Sequence, residues 1–242
     1  MEALDAGLPR GGSVVSAARD VAHFPNECYN DEKQTDWSEN GGRTVRKGEA
    51  TKEHIIEKAA HVLNRRGYYA SSLSEIMEAS GLKKGGIYNH FESKEQIIAE
   101  AFAYNVKAMS ERFDEAAAGF SHPIDRVLAM AAVARELYRG EPIPGGCAIM
   151  NAAVESDDAY PFLKAQARTS MERFVSKVRA ILEQGQRDGR VDPAADAAEA
   201  ALFIVSAIEG SLMISKLTDS GAAVDAALKR IASFLNRELR RP

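Results

Sequence analysis

The run Ser72-Leu-Ser-Glu-Ile-Met-Glu-Ala-Ser-Gly-Leu-Lys-Lys-Gly-Gly-Ile-Tyr-Asn-His-Phe-Glu-Ser-Lys94 decides the fold. It opens on Ser72 with Glu75 three residues later, the spacing of a capping box. In that arrangement the Ser hydroxyl accepts an orphan helix N–H and the Glu reaches back to the cap. Leu73, Ile76, Met77 and Ala79 then share one side of a short helix, and Gly81 is placed to end it. A second short helix is expected over Lys83–Phe91, with Lys83, Lys84, Tyr88, Asn89 and His90 on one side and Ile87 and Phe91 on the other. Ser93 and Gln96 form a second capping box and start a third helix. Two short helices joined by a Gly-containing turn, the second rich in Lys, Tyr, Asn and His, describe a helix-turn-helix.

The same residues carry a family resemblance. Gly81-Leu82-Lys83-Lys84-Gly85-Gly86-Ile87-Tyr88-Asn89-His90-Phe91, followed by Ser93-Lys94-Glu95, resembles the signature of the tetracycline-repressor (TetR) family of bacterial regulators. The Tyr-x-His-Phe-x-Ser-Lys-Glu portion is the specific part. The resemblance runs back to Thr51, and beyond Gln96 it is one of architecture only. One position departs from the family pattern: Lys83 stands where a Ser or Thr usually caps the recognition helix, and a lysine cannot accept the orphan N–H groups.

Charge is distributed in keeping with that motif. The 242 residues carry a net charge of −4, yet residues 43–95 hold 10 Lys/Arg against 7 Asp/Glu, net +3. Residues 1–42 hold 3 against 8, and residues 96–242 hold 18 against 20. Attraction to phosphate is local, being screened within about 10 Å, so an acidic protein with one basic segment still binds DNA. The composition is 45% hydrophobic, enough for a sizeable core. No apolar run approaching a membrane span and no signal peptide are expected, which suggests a cytoplasmic protein. Cys28 and Cys147 make neither a disulfide framework nor a metal spacing, and the five histidines show no ligand pattern. No cofactor is expected. No nucleophile–base pair or phosphate loop supports an enzyme.

Residues 1–42 read as a disordered tail interrupted by Gly and Pro, with the single tryptophan, Trp37, inside it. Residues 43–95 read as the DNA-binding domain. Arg43–Lys47 form a basic arm, Thr51 is the expected N-cap of the first helix, and Tyr68 and Tyr69 are expected in the small core. Residues 96–242 read as an all-α ligand-binding and dimerisation domain, giving about nine helices in total. These continue with a long helix over 93–118, then 124–138, a short one from Cys147 to Val154, and 161–187, 193–217 and 222–240. No strand pattern appears.

The resemblance implies roles. Lys84, Gly86 and Asn89 are placed at or near bases, since Asn suits adenine and Lys suits guanine acceptors. Gly85 and Gly86 allow close backbone approach. Tyr88, His90 and Lys94 are phosphate contacts, with Lys83, Arg46 and Thr51 as further DNA contacts. A homodimer on a palindromic double-stranded operator is implied, with Leu202, Val205, Leu212, Leu228, Ile231 and Leu235 as the expected interface. A pocket for a small-molecule effector is expected among Phe102, Val106, Met109, Met130, Val133, Cys147, Met150, Asn151, Phe162, Met171 and Phe174, with Asn151 and Glu155 as its polar groups. The reading is a repressor released by that effector. Two alternatives stay open. One is a thiol sensor using Cys147, whose pKa a helix start can lower. The other, from a different class, is an all-α interaction scaffold or enzyme. A salt-dependent DNA shift separates that last class from the rest.

Overall fold

The computed structural model describes residues 47–156 and 160–242. The expected tail, the arm residues Arg43–Arg46 and the cysteine at position 28 lie outside the described residues. Among the described residues the chain is all-α, as expected, with one isolated bridge between Val191 and Arg240.

Helix α1 (Lys47–Arg66) begins a full turn earlier than expected, so Thr51 lies inside it and does not cap it. Glu49 in its first turn and Arg65 and Arg66 in its last suit the helix dipole. Helix α2 (Leu73–Ser80) starts as the sequence dictates. Ser72 Oγ accepts from Glu75 N at 3.3 Å, and Glu75 Oε2 accepts from Ser72 N at 2.7 Å. Gly81 follows at φ 69°, the left-handed conformation that a residue without Cβ adopts freely. Helix α3 (Lys84–Tyr88) is five residues long and has no side-chain cap at Lys83. Helix α4 (Lys94–Ala118) starts at Ser93, whose Oγ accepts from Gln96 N at 3.2 Å. The second capping box is only half formed, because Gln96 Oε1 accepts from Glu92 N instead of the Ser93 amide.

Ile55, Ala59, Leu63, Tyr68, Ile76, Ile87, Phe91, Ile97, Ile98 and Phe102 close the core of this head. Tyr68 meets Phe102 edge to face at 6.1 Å. Tyr69 does not join them; it is 67% exposed and lies against Tyr160. In the turn after α1, Tyr68 faces the core and Tyr69 faces out, so only one of the two tyrosines reaches the core.

Helix α4 belongs to both halves. Its first turns bury Ile97, Ile98, Ala101 and Phe102 under the head, and Met109 and Phe113 continue into the body. Within it Asn105 is fully buried and donates Nδ2 to Ala60 O of α1 at 3.0 Å. The helix expected over 124–138 is two: α5 (Pro123–Ala132), capped by His122 Nδ1, and α6 (Ala134–Arg139). They divide at Val133 with no Pro or Gly to announce it. A strap, residues 140–147, leads to α7 (Ala148–Glu155), and α8 (Pro161–Arg187) follows.

Helix α9 (Ala197–Leu217) is capped by Asp196, which accepts from Ala198 N and Glu199 N. Helix α10 (Ala222–Phe234) runs into a π-helical turn (Leu235–Leu239). Helix α9 packs on α8, α10 and α6. Contrary to the sequence expectation, α9 is long and apolar enough by length and composition to cross a membrane. It is apolar on two faces. One face, with Ile204, Val205, Ile208 and Leu212, is buried in the body; Leu202, Phe203, Met213, Ile214 and Leu217 on the other are 45–82% exposed.

Candidate nucleic-acid interface and its joint with the body

Helix α3 is built to present polar groups. Ile87 is fully buried and Phe91 nearly so, and burial of such side chains contributes about 1.5–3 kcal/mol each. These two fix the inner side of α3. Lys83, Lys84, Gly85, Tyr88 and Asn89 then lie exposed, with His90 half-buried. The ammonium of Lys84 stands 5.8 Å from the Tyr88 ring centre, near enough for a cation–π attraction that keeps both groups at the same surface. Asn89 N donates to Gly85 O at 3.1 Å, which ends the helix and leaves its side chain free to project. A Cβ added at Gly85 would touch nothing, so that position faces open space.

Lys94 is half-buried at the first turn of α4, directly after the α3–α4 turn. Lys52 on α1 pairs with Glu100 at 2.8 Å and lies 5.3 Å from the Phe91 ring. Glu95 sits at the α4 start, where hydrogen bonds from its own amide and Ser93 hold its carboxyl below the ordinary value. Of the expected DNA contacts, the structure brings Lys83, Lys84, Gly85, Gly86, Tyr88, Asn89, His90 and Lys94 to one end of the head. Arg46 lies outside the described residues.

Most of the expected effector set is packed into or against the core. Phe102, Met109, Met130 and Val133 are at most 3% exposed and fill the core. Val106, Phe162, Met171 and Phe174 are packed against it, with Phe174 stacked on Phe113 at 4.6 Å. Helical spacing placed these residues inward, as their burial shows. A cavity of about 310 Å³ lies elsewhere, between α6, the strap, the start of α7 and the last turns of α9. Only Cys147 and Met150 of the expected set line it.

Asn151 and Glu155 serve a different purpose from the one expected. Asn151 Nδ2 donates to Asn64 O at 3.2 Å, Asn64 Oδ1 at 3.0 Å and Gly145 O at 3.1 Å. Asn64 Nδ2 in turn donates to Pro144 O at 2.8 Å and Gly146 O at 3.0 Å. Lys216 Nζ closes the group, donating to Gly145 O at 3.0 Å and Asn151 Oδ1 at 3.1 Å. Glu155 Oε2 accepts from Tyr69 N at 3.3 Å. Together these contacts hold the last turn of α1 against the strap and α7. Gly145, at φ 97°, presses so closely that a Cβ there would stand 2.4 Å from Asn64 O. No sequence pattern pairs Asn64 with Asn151, since 87 residues separate them.

Cys147 caps α7 through its sulfur, which accepts from Met150 N at 3.4 Å. Its thiol donates to Glu209 Oε1 at 3.1 Å. Burial and the Glu209 carboxyl push the thiol well above its ordinary value. The expectation of a helix start lowering that pKa is therefore overturned: desolvation outweighs the dipole when the group is 1% exposed. Burial likewise raises the Glu209 carboxyl, whose Oε2 is sealed from solvent without a hydrogen-bond partner.

Five of the six expected interface residues are also displaced. Val205, Leu212, Leu228, Ile231 and Leu235 are 0–9% exposed and hold the body together, leaving Leu202 alone on the outer face. A helix apolar on both sides gives no period from which to choose the outer one.

Comparison with known proteins agrees with this geometry. Residues 55–101 match the family described as bacterial regulatory proteins, tetR family, and residues 123–231 match the tetracyclin repressor-like C-terminal domain. The fold superposes with a TM-score of 0.78 on a TetR transcriptional regulator from Chloroflexus aurantiacus J-10-FL. That protein is 35% identical, over 82% of this chain and 100% of the other. The chain belongs to the TetR family.

As a TetR-family member it is a sequence-specific DNA-binding transcriptional regulator and not an enzyme, in agreement with the sequence reading. A curated relative, the HTH-type transcriptional repressor DhaR of Mycobacterium sp. (strain GP1), is 27% identical over 73% of this chain and 88% of its own length. The fold is shared as well with a cysteine-substituted form of the TetR-family regulator CifR complexed with 26-bp double-strand operator DNA. That chain is 21% identical with a TM-score of 0.66, over 75% of this chain and 94% of the other.

Proposed function

We propose that the protein is a homodimeric repressor that holds a palindromic operator and is released from it by a small molecule. The observation that carries this reading is the exposed polar side of α3, anchored from behind by Ile87 and Phe91. A recognition helix enters the major groove and reads base edges while neighbouring groups grip phosphate. In this reading Lys84, Gly86 and Asn89 approach bases. Lys83, Tyr88, His90 and Lys94 take phosphates, and Arg46 and Thr51 add contacts from the arm and α1. Residues 43–95 act as the reading head and 96–242 as the body.

One five-residue helix reads too few base pairs to be selective, and a dimer supplies the second half-site. The outer face of α9 supports such pairing. Leu202, Phe203, Met213, Ile214 and Leu217 lie exposed along it, and Gly210 between them offers no side chain to hold a second helix away. Loss of this apolar area from water favours association. The relative DhaR is a repressor by name, and CifR was captured on operator DNA; both support the same role here.

Selection of bound genomic fragments by the purified protein tests the reading. A short inverted repeat should emerge, bound by two chains and weakened by salt. Recovery of fragments sharing no repeat, or binding by a single chain, would defeat it.

A further inference from the structure

We propose that the cavity behind the strap binds a small amphipathic carboxylate, and that its anion draws Lys216 away from the joint between head and body. This rests on the reading that a small molecule releases the DNA, and it names the class of molecule, the site and the route.

The cavity, at about 310 Å³, falls in the lower part of the range for small-molecule sites. Leu137, Met150 and Leu212 give it an apolar wall, and Lys216 and Arg139 bring two cations to it. The acid among its lining residues is Asp219, and it forms no ion pair with either cation. Lys216 is bonded only to the neutral oxygens of Gly145 and Asn151, and Arg139 makes no ion pair among the described residues. Several other cations of the body are matched by acids, as in Arg112 with Glu136 at 2.6 Å, Arg135 with Asp225 at 2.7 Å and Lys177 with Asp114 at 2.6 Å, whereas these two face the same cavity without one. The cavity is therefore an apolar chamber with surplus positive charge at one side, complementary to an acid with an apolar body.

An ammonium bonds more strongly to a carboxylate than to an amide oxygen. A bound carboxylate thus competes directly for Lys216. The oxygens Lys216 gives up belong to Gly145 and Asn151, the residues that contact Asn64 at the end of α1. Occupying the cavity loosens the strap at the point where the reading head is held. The head keeps its bonds from Asn64 to Pro144 O and Gly146 O, so it shifts instead of detaching. Because two half-sites are fixed by DNA geometry, a small shift in each head weakens the dimer on its operator. Linkage makes the effect reciprocal: operator weakens carboxylate binding by the same factor.

Hexanoate is a suitable probe, with hexanol as its neutral counterpart, followed through the methyl resonances of ¹³C-labelled methionine in the full chain. Met150 lines the cavity, whereas Met109 and Met171 report on the core and α8. Hexanoate should move the Met150 signal saturably and hexanol should not. Lys216→Gln removes the charge and should bind hexanoate at least tenfold more weakly. Arg139→Gln breaks no bond among the described residues and should weaken hexanoate several-fold, which keeps the test open if Lys216→Gln does not fold. Equal responses to acid and alcohol, an unmoved Met150, or full hexanoate affinity in both variants would overturn the proposal. The methionine readout needs no DNA, so failure of the repressor reading would show separately, as fragments without a common repeat.

Discussion

Asn151 of α7 donates its side-chain amide to both the backbone and side-chain oxygens of Asn64, at 3.2 and 3.0 Å, and so fixes the end of α1 to the body. Asn64 is 2% exposed, and its own amide is spent on the strap. Removing a partner from a buried hydrogen bond strands the other group, at about 1–3 kcal/mol. Asn64→Ala should lower unfolding stability by about that amount. In hydrogen exchange, the last turn of α1 should lose protection while α9 and α10 keep theirs. Uniform loss across the protein would mean that the joint has no local identity.

Gly145→Ala attacks the same joint from the other side. The new Cβ meets Asn64 O and must also adopt a φ of 97°. Cost on both counts predicts a lower melting temperature and weakened operator binding. A variant with wild-type stability and affinity would show that the strap yields freely.

The charges on the reading head predict two behaviours. Lys94→Ala should weaken all DNA sequences alike and flatten the salt slope by about one unit. Asn89→Ala should instead relax preference at one position of each half-site, read by competition among single-base operator variants. An equal loss on every sequence would remove Asn89 from the base-reading set.

The two faces of α9 separate assembly from folding. Met213→Asp and Leu217→Asp place charge on the exposed side and should give folded monomers in sedimentation, with operator binding lost. Leu228→Asp and Leu235→Asp strike residues that are 9% and 0% exposed. Burying an unpaired charge costs several kcal/mol, so these should unfold the chain. Dimeric Met213→Asp and Leu217→Asp proteins would place the interface elsewhere.

Glu209 gives a pH signature. Its carboxyl is raised in the folded protein by burial. A group with a raised folded value contributes its full stability below its unfolded value and loses it as pH rises through the folded one. Glu209→Gln keeps an acceptor for the Cys147 thiol without a titrating proton. It should melt higher than wild type at neutral pH, and the difference should vanish as pH falls below the ordinary value of 4.5. A difference constant across pH would mean that Glu209 does not titrate in that window.

What could be read from the sequence follows physical range. The Ser72–Glu75 box, the Gly81 stop and the Ser93 cap are interactions within one turn, so residue order alone specifies them. The inward side of α4 was legible because its apolar residues recur at helical spacing. The joint was not, because Asn64, Gly145 and Asn151 meet only after the chain has folded back on itself. Nor was the outer face of α9, where Leu202 and Val205 look alike in sequence and differ only by what packs on them. The cavity behind the strap was not legible either, because apolar spacing marks an interior position without saying where space is left.

Helix α3 has one further property. It contains two adjacent glycines in five residues and begins at a lysine that caps nothing. Glycine costs about 1 kcal/mol per residue in a helix relative to alanine, so α3 is held together from behind by Ile87 and Phe91 more than by its own backbone. Without a side-chain cap at Lys83, the first amides of α3 would be available to a phosphate oxygen under the proposed reading. The nucleic acid would thereby complete the helix that reads it. Association and local ordering then share one free energy, and substitutions that stiffen α3 without touching a base would raise affinity for every sequence alike.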